Sequence, residues 1–229
     1  MGMLFSNPEC VFYSLHVIQS TSEPLTTPPS SLSHLRHLAF DMRCSYMQSP
    51  APSPICAVLA YIRPSFPSLS SVTLKFSEAA PVTDLFLQEL LRNHGNTLRK
   101  LTFINCFVST DNIKYICETC SMLQKLELCI PVKDIVINFC LSLGCFDQFL
   151  IQEPFGYALS HSMTLRTVVD TKDSHTTHGL YPTLTQGNVR SIMEEVGSLK
   201  RIVSDNKVWT VSFTSAPLYL ITARQFLAI

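Results

Sequence analysis

The stretch Leu98-Arg-Lys-Leu101-Thr-Phe103-Ile-Asn-Cys106 carries the pattern that decides the expected fold. Its phrase, Leu-x-x-Leu-x-apolar, returns as Leu123-x-x-Leu126-x-Leu128 and occurs earlier as Leu35-x-x-Leu38-x-Phe40. Between the first two copies lie a polar turn and an amphipathic segment from Asp111 to Cys120. Self-similarity at a spacing of about 25 residues is typical of solenoids, in which each unit buries its apolar face only against its neighbours.

Related strand phrases start near residues 35, 69, 98, 123, 165 and 199, so the repeat would be irregular. Within each phrase alternate residues are apolar, as expected for a strand with one buried face. Amphipathic segments between the phrases predict helices over 55–62, 82–94, 111–120, 132–143 and 185–196, with Thr83 as an N-cap and Gly95 after the second helix. Connections of this length allow parallel strands. The sequence therefore predicts an α/β fold, an irregular solenoid with a curved parallel sheet backed by helices.

Three regions follow from the same pattern. Residues 1–31 are expected to be irregular, because the run 21–30 is rich in Pro, Ser and Thr. The solenoid itself is predicted over 32–213, with the alternating strand 208–213 closing it, and 214–229 form a C-terminal tail. Residues 145–162 show no pattern that assigns them to a helix or a strand.

The composition gives little support to anionic partners and favours a reducing compartment. Seventeen basic residues balance seventeen acidic ones, which gives no support to a nucleic-acid partner or an acidic membrane surface. The nine cysteines are an odd number without the spacing of a disulfide scaffold, and the chain has no Asn-x-Ser/Thr acceptor. Both observations favour an intracellular protein, cytoplasmic or nuclear, with free thiols.

The run from Leu98 through Cys106 and Ile113 to Cys120 resembles the cysteine-containing class of leucine-rich repeats, which is frequent in the substrate-receptor half of fungal F-box proteins. The resemblance is good over 98–128, fair over 32–40 and 66–95, and weaker over 162–205. It implies a non-catalytic module that binds a protein partner on a concave strand face and needs no cofactor. No F-box precedes the repeats in residues 1–31, so a ligase adaptor is not an expected partner.

The residues expected to contact that partner are those on the solvent side of the predicted strands. Strand alternation turns the apolar residues inward and leaves the intervening polar ones outside. The candidate binding residues are His37, Ala39, Thr73, Lys75, Lys100, Thr102, Lys125 and Glu127.

Two other functions stay open at the level of the sequence. Cys117-x-x-Cys120 could belong to a small zinc protein with two further ligands, although a single Cys-x-x-Cys pair is weak support and the repeat itself accounts for both positions. His175 and His178 have ligand-like spacing, but a solvated loop is the better interpretation, and no metal site is predicted. The chain could also be a truncated structural fragment without a partner of its own.

Overall fold

The computed structural model describes residues 14–19, 36–42, 69–131, 155–172, 184–213 and 219–225. These residues form one nine-stranded sheet in which the order of strands across the sheet is their order along the chain. The strands are β1 Ser14–Gln19, β2 His37–Met42, β3 Ser71–Pro81, β4 Lys100–Phe107, β5 Lys125–Leu128, β6 Thr167–Asp170, β7 Arg201–Ser204, β8 Lys207–Phe213 and β9 Tyr219–Gln225. The helices are α1 Asp84–His94, α2 Thr110–Thr119, α3 Phe155–Ser160 and α4 Gln186–Glu195.

The sheet is parallel from β1 to β7, and its last two pairings, β7 with β8 and β8 with β9, are antiparallel. The described helices also follow chain order, since α1 packs against α2, α2 against α3, and α3 against α4. The predicted α/β class, with a mostly parallel sheet and helices between the strands, is confirmed.

One face of the sheet is covered by the helices and forms the core. Register places one apolar residue from each of the strands β2–β7 in a single buried row: Leu38, Val72, Leu101, Leu126, Val168 and Ile202. Among the described residues, the leucine that opens a phrase is buried as well, at Leu69, Leu98, Leu123, Leu165 and Leu199. Burial of each such side chain contributes roughly 1.5–3 kcal/mol. The sequence pattern had predicted this inward set correctly.

A repeated backbone contact fixes where each strand begins. The carbonyl of Arg99 accepts hydrogen bonds from two successive N–H groups of the next phrase, those of Gln124 at 2.8 Å and Lys125 at 3.0 Å. The same paired contact is made by the carbonyls of Arg36, Ser70, Gln124 and Arg166. Connectors of unequal length therefore return the chain to the same register at each strand.

Side-chain hydrogen bonds cap the starts of three helices, and the predicted N-cap Thr83 is one of the three. Thr83, Ser109 and Thr185 each accept a hydrogen bond from the backbone N–H three residues later, and so begin α1, α2 and α4. Gly95 follows α1 as predicted, but its φ of −50° is helical. A Cβ on Gly95 would lie 2.7 Å from the carbonyl oxygen of Leu91, so the close approach of the backbone there requires glycine.

Three features differ from the expectation. Residues 1–31 contain strand β1, which pairs with β2, so the segment expected to be irregular contributes to the sheet. The tail 214–229 contains β9, which joins the sheet through an antiparallel pairing with β8. Helix α3 lies within region 145–162, which the sequence pattern left unassigned. The pattern does not reveal this helix because one and a half turns are too short for a periodic signal. The helices predicted over 55–62 and 132–143 lie outside the described residues.

Candidate binding face

The sheet has a second surface, which faces away from the helices and is called the open face here. The structure places all eight candidate binding residues on it, at the positions that alternate with the buried row. Register aligns Ala39, Thr73, Thr102 and Glu127 across β2–β5. Lys100 and Lys125 are likewise neighbours in the adjacent row. Residues from a stretch of some ninety positions are thereby brought into one continuous surface.

The eight residues differ in exposure. His37 and Lys75 are exposed, whereas Ala39, Thr73, Lys100, Lys125 and Glu127 are partly covered. Thr102 is only 4% exposed, which corrects the expectation that its side chain meets solvent. The cause is its neighbour across the strand pair, because the Thr102 hydroxyl donates a 2.9 Å hydrogen bond to Oε2 of Glu127. Thr102 therefore holds Glu127 in place and is not itself available to contact a partner.

Glu127 is the electrostatic centre of this part of the open face. Its Oε1 lies 3.2 Å from Nζ of Lys100 and 2.6 Å from Nζ of Lys125, and its side chain is 13% exposed. Burial acts to raise the pKa of the Glu127 carboxyl, but the bonds from Lys125, Thr102 and Lys100 outweigh it and the pKa lies below its ordinary value. Glu127 is thus held ionised, and it neutralises part of the charge of both lysines.

The open face continues beyond the residues that the sequence analysis selected. On β6 and β7, register adds Thr167 beside Arg201 and Val169 beside Val203. Arg166 and Lys200 lie just before these strands and are exposed. Sequence reasoning missed them, although Leu165 and Leu199 marked the same phrase and the two residues after each leucine correspond to Arg99 and Lys100.

A cleft of about 280 Å³ extends along β7, from Arg201 at its start to the turn that follows it, beside the end of β6. Its floor includes the cross-strand pair Val203 and Val208, and its rim includes the turn that joins β7 to β8. Asp205 and Asn206 in that turn have φ values of 48° and 60°, the left-handed pair that a type I′ hairpin requires. The remaining lining residues are Asp170, Lys172, Arg201 and Ser204.

Three of the four described cysteines lie within the core. Cys106, Cys117 and Cys120 are buried free thiols, and Cys129 is half-buried. Cys106 Sγ lies 3.2 Å from the carbonyl oxygen of Ile104 and 3.6 Å from that of Leu74 on the preceding strand. Within the described ranges, no three His, Cys, Asp or Glu side chains are grouped so as to hold a metal ion. Cys140, Cys145, His175 and His178 lie outside those ranges.

The two thiols of the Cys-x-x-Cys pair should be unreactive in the folded protein. Burial raises the pKa of both Cys117 and Cys120 to about 12, so only about one thiol in ten thousand is ionised at pH 8. We expect brief iodoacetamide treatment at pH 8, followed by peptide mass spectrometry, to leave both unmodified. The same treatment in guanidinium chloride should modify both. Rapid labelling of the folded chain at Cys117 would contradict this burial.

No described helix has both the length and the apolar character needed to cross a bilayer. Comparison with models of known protein families, and with curated proteins, gave no match to this chain.

Proposed function

We propose that this chain is a non-catalytic protein-binding module that uses the open face of its sheet. We further propose that it is an irregular leucine-rich-repeat solenoid, similar in role to the substrate-recognition part of an F-box ubiquitin-ligase receptor. The observation that carries the proposal is the inequality of the two sheet faces. One face is a continuous apolar row under helices, and the other presents polar side chains in register across several strands.

The repeat assignment is supported by the backbone. The paired hydrogen bond to one carbonyl recurs five times, always at the residue that follows the phrase-opening leucine. Strands that repeat in this way place side chains from distant segments beside each other at fixed spacing, which gives a wide and stable contact surface for another protein. The leucine-rich-repeat class, with its cysteine at the end of the strand, accounts for the buried Cys106 at the end of β4.

A steric block in the centre of the open face tests this proposal without changing any charge. Thr73 lies in the row between Ala39 and Thr102, and tryptophan is well tolerated in strands. We expect Thr73→Trp to reduce the capture of specific partners from a native lysate by about tenfold, as large residues at an interface centre do. The readout is quantitative mass spectrometry of the proteins retained by the immobilised chain.

Gln88→Trp provides the matched control, because Gln88 is exposed on α1, on the helix side. It should retain the same partners at the same yield as the unmodified chain. If the unmodified chain, Thr73→Trp and Gln88→Trp all captured partners equally, the open face would not be the partner-binding surface. Charge reversal of Lys100 and Lys125 is a less clean probe, since it would place two further carboxylates beside Glu127.

A further inference from the structure

The zero net charge of the chain conceals a separation of charge between two surfaces. At the starts of β4–β7, six cations meet along one border of the open face, here called the basic edge. They are Arg99, Lys100, Lys125, Arg166, Lys200 and Arg201. Glu127 lies between Lys100 and Lys125, and Arg201 also lines the cleft that contains Asp170 and Asp205. The described helices carry the opposite balance, with six carboxylates (Asp84, Glu89, Asp111, Glu118, Glu194 and Glu195) against three cations (Arg92, Lys114 and Arg190).

Backbone contacts bring the basic edge together. The carbonyl of Arg99 bonds to the N–H of Lys125, and the carbonyl of Arg166 bonds to the N–H groups of Lys200 at 2.9 Å and Arg201 at 3.1 Å. Neighbouring strands lie about 4.8 Å apart. Four strands therefore place the backbones of the six residues within about 15 Å, and neighbouring strands lie closer together than a Debye length of about 8 Å at physiological salt. Their potentials add over this border.

The two halves of the basic edge differ in how far they are neutralised. Lys100 and Lys125 share Glu127. Arg99, Arg166, Lys200 and Arg201 are exposed, and none of them forms an ion pair with a carboxylate of the described residues. Like charges held at this spacing without a counter-charge repel one another, so a partner that supplies carboxylates lowers that repulsion.

We propose that the basic edge recognises an acidic, extended polypeptide segment of the partner, with Arg166, Lys200 and Arg201 binding its Asp and Glu side chains. This inference rests on the proposed function and specifies its ligand. Val169 and Val203 lie beside these cations in the adjacent row of the open face and provide partly exposed apolar contact. The segment that fits has acidic residues alternating with aliphatic ones, because the residues of an extended strand point alternately to opposite sides.

A polypeptide fits this surface better than a single-stranded nucleic acid. Proteins that bind single strands stack the bases on aromatic side chains. The exposed aromatic residue of β4, Phe107, lies at the opposite end of that strand from Lys100. The described open-face positions nearer the basic edge carry no aromatic residue: Lys100, Thr102, Ile104, Lys125, Glu127, Thr167, Val169, Arg201 and Val203. Carboxylates need only the cations and the planar guanidinium donors that Arg166 and Arg201 present.

Fluorescence anisotropy with the full chain tests the inference. The probes are a fluorescein-labelled (Glu-Val)4 peptide, the neutral (Gln-Val)4 peptide, and a labelled uridine octanucleotide. We expect (Glu-Val)4 to bind at least tenfold more tightly than either alternative at low salt, and binding to weaken as salt rises. The double variant Arg166→Glu/Lys200→Glu should bind (Glu-Val)4 about tenfold more weakly than the unmodified chain does. Arg92→Glu/Arg190→Glu, which changes the net charge equally on the helices, should change this binding by less than about twofold.

Three results would overturn the acidic-segment inference: equal binding of (Glu-Val)4 and (Gln-Val)4, tighter binding of the oligonucleotide, or equal losses in the two double variants. If (Glu-Val)4 fails to bind while Thr73→Trp still reduces the capture of partners by about tenfold, the inference fails and the proposed function stands. If Thr73→Trp also has no effect, the proposed function fails with it.

Discussion

Replacement of Leu101 by alanine should lower the free energy of unfolding by about 2–5 kcal/mol, the range for truncating a fully buried leucine. Leu101 is 0% exposed and lies in the middle of the sheet, with Val72 on one side and Leu126 on the other. The cavity left by alanine would border three strands, and rigid neighbours in a sheet collapse into it poorly. Guanidinium unfolding followed by circular dichroism measures the loss.

Leu85→Ala is the matched control, because it removes the same atoms from a leucine that is 56% exposed on α1. It should change the free energy of unfolding by less than about 0.5 kcal/mol. Trp209, the only tryptophan, is buried in β8 and reports on the end of the sheet. A Leu101→Ala protein as stable as Leu85→Ala would mean that the leucine row does not form the core.

A second large effect is expected at Asp170, a carboxylate on the side of β6 that otherwise faces the core. It shares that side with the buried Val168 and pairs in register with Leu128. Its Oδ1 accepts hydrogen bonds from the backbone N–H of Ile130 and of Lys172, both at 3.2 Å, and its Oδ2 accepts one from the Ser204 hydroxyl at 2.9 Å. Ser204 is itself buried.

Asp170→Leu would leave the Ile130 N–H and the Ser204 hydroxyl without their partner, and we expect a loss of about 3 kcal/mol at pH 7. Asp170→Asn should preserve all three contacts, since its oxygen accepts both N–H groups and its amide donates to Ser204. Thermal melts of both variants beside the unmodified protein measure the difference. Equal stability of the leucine and asparagine variants would show that the three hydrogen bonds contribute little.

The asparagine variant also carries a pH signature. Burial raises the pKa of the Asp170 carboxyl above its ordinary value of 3.8, and the three hydrogen bonds offset this only in part. Because the folded-state pKa is the higher one, the unmodified protein loses stability as pH rises from about 3.8 through that pKa. Asp170→Asn removes this loss. Its stability relative to the unmodified chain should therefore increase between pH 3.8 and neutrality.

Local patterns account for the parts of the fold that the sequence predicted. The leucine phrase fixes which side of each strand is buried, and the N-cap Thr83 acts on a backbone group three residues away. Strand β1 was missed because its alternation is short and the proline-rich run 21–30 follows it closely. Helix α3 was missed because its six residues contain little more than one period.

The parts of the candidate site that the sequence did not predict depend on register between distant strands. The burial of Thr102 is caused by Glu127, twenty-five positions later, through a side-chain hydrogen bond. The basic edge joins Arg99 to Arg201, and no window of the sequence contains both. The structure brings them to one border because each of the strands β4–β7 begins with an equivalent hydrogen-bond pair to a carbonyl of the preceding phrase.

That carbonyl contact has a consequence for how the chain tolerates changes in length. The five carbonyls that make this contact, those of Arg36, Ser70, Arg99, Gln124 and Arg166, are separated by 34, 29, 25 and 42 residues, yet the strands that follow stay aligned. Residues inserted into or deleted from a connector are absorbed before the next strand begins. Such events should therefore alter the helix side while leaving the alignment of neighbouring strands unchanged, so the two surfaces can diverge independently.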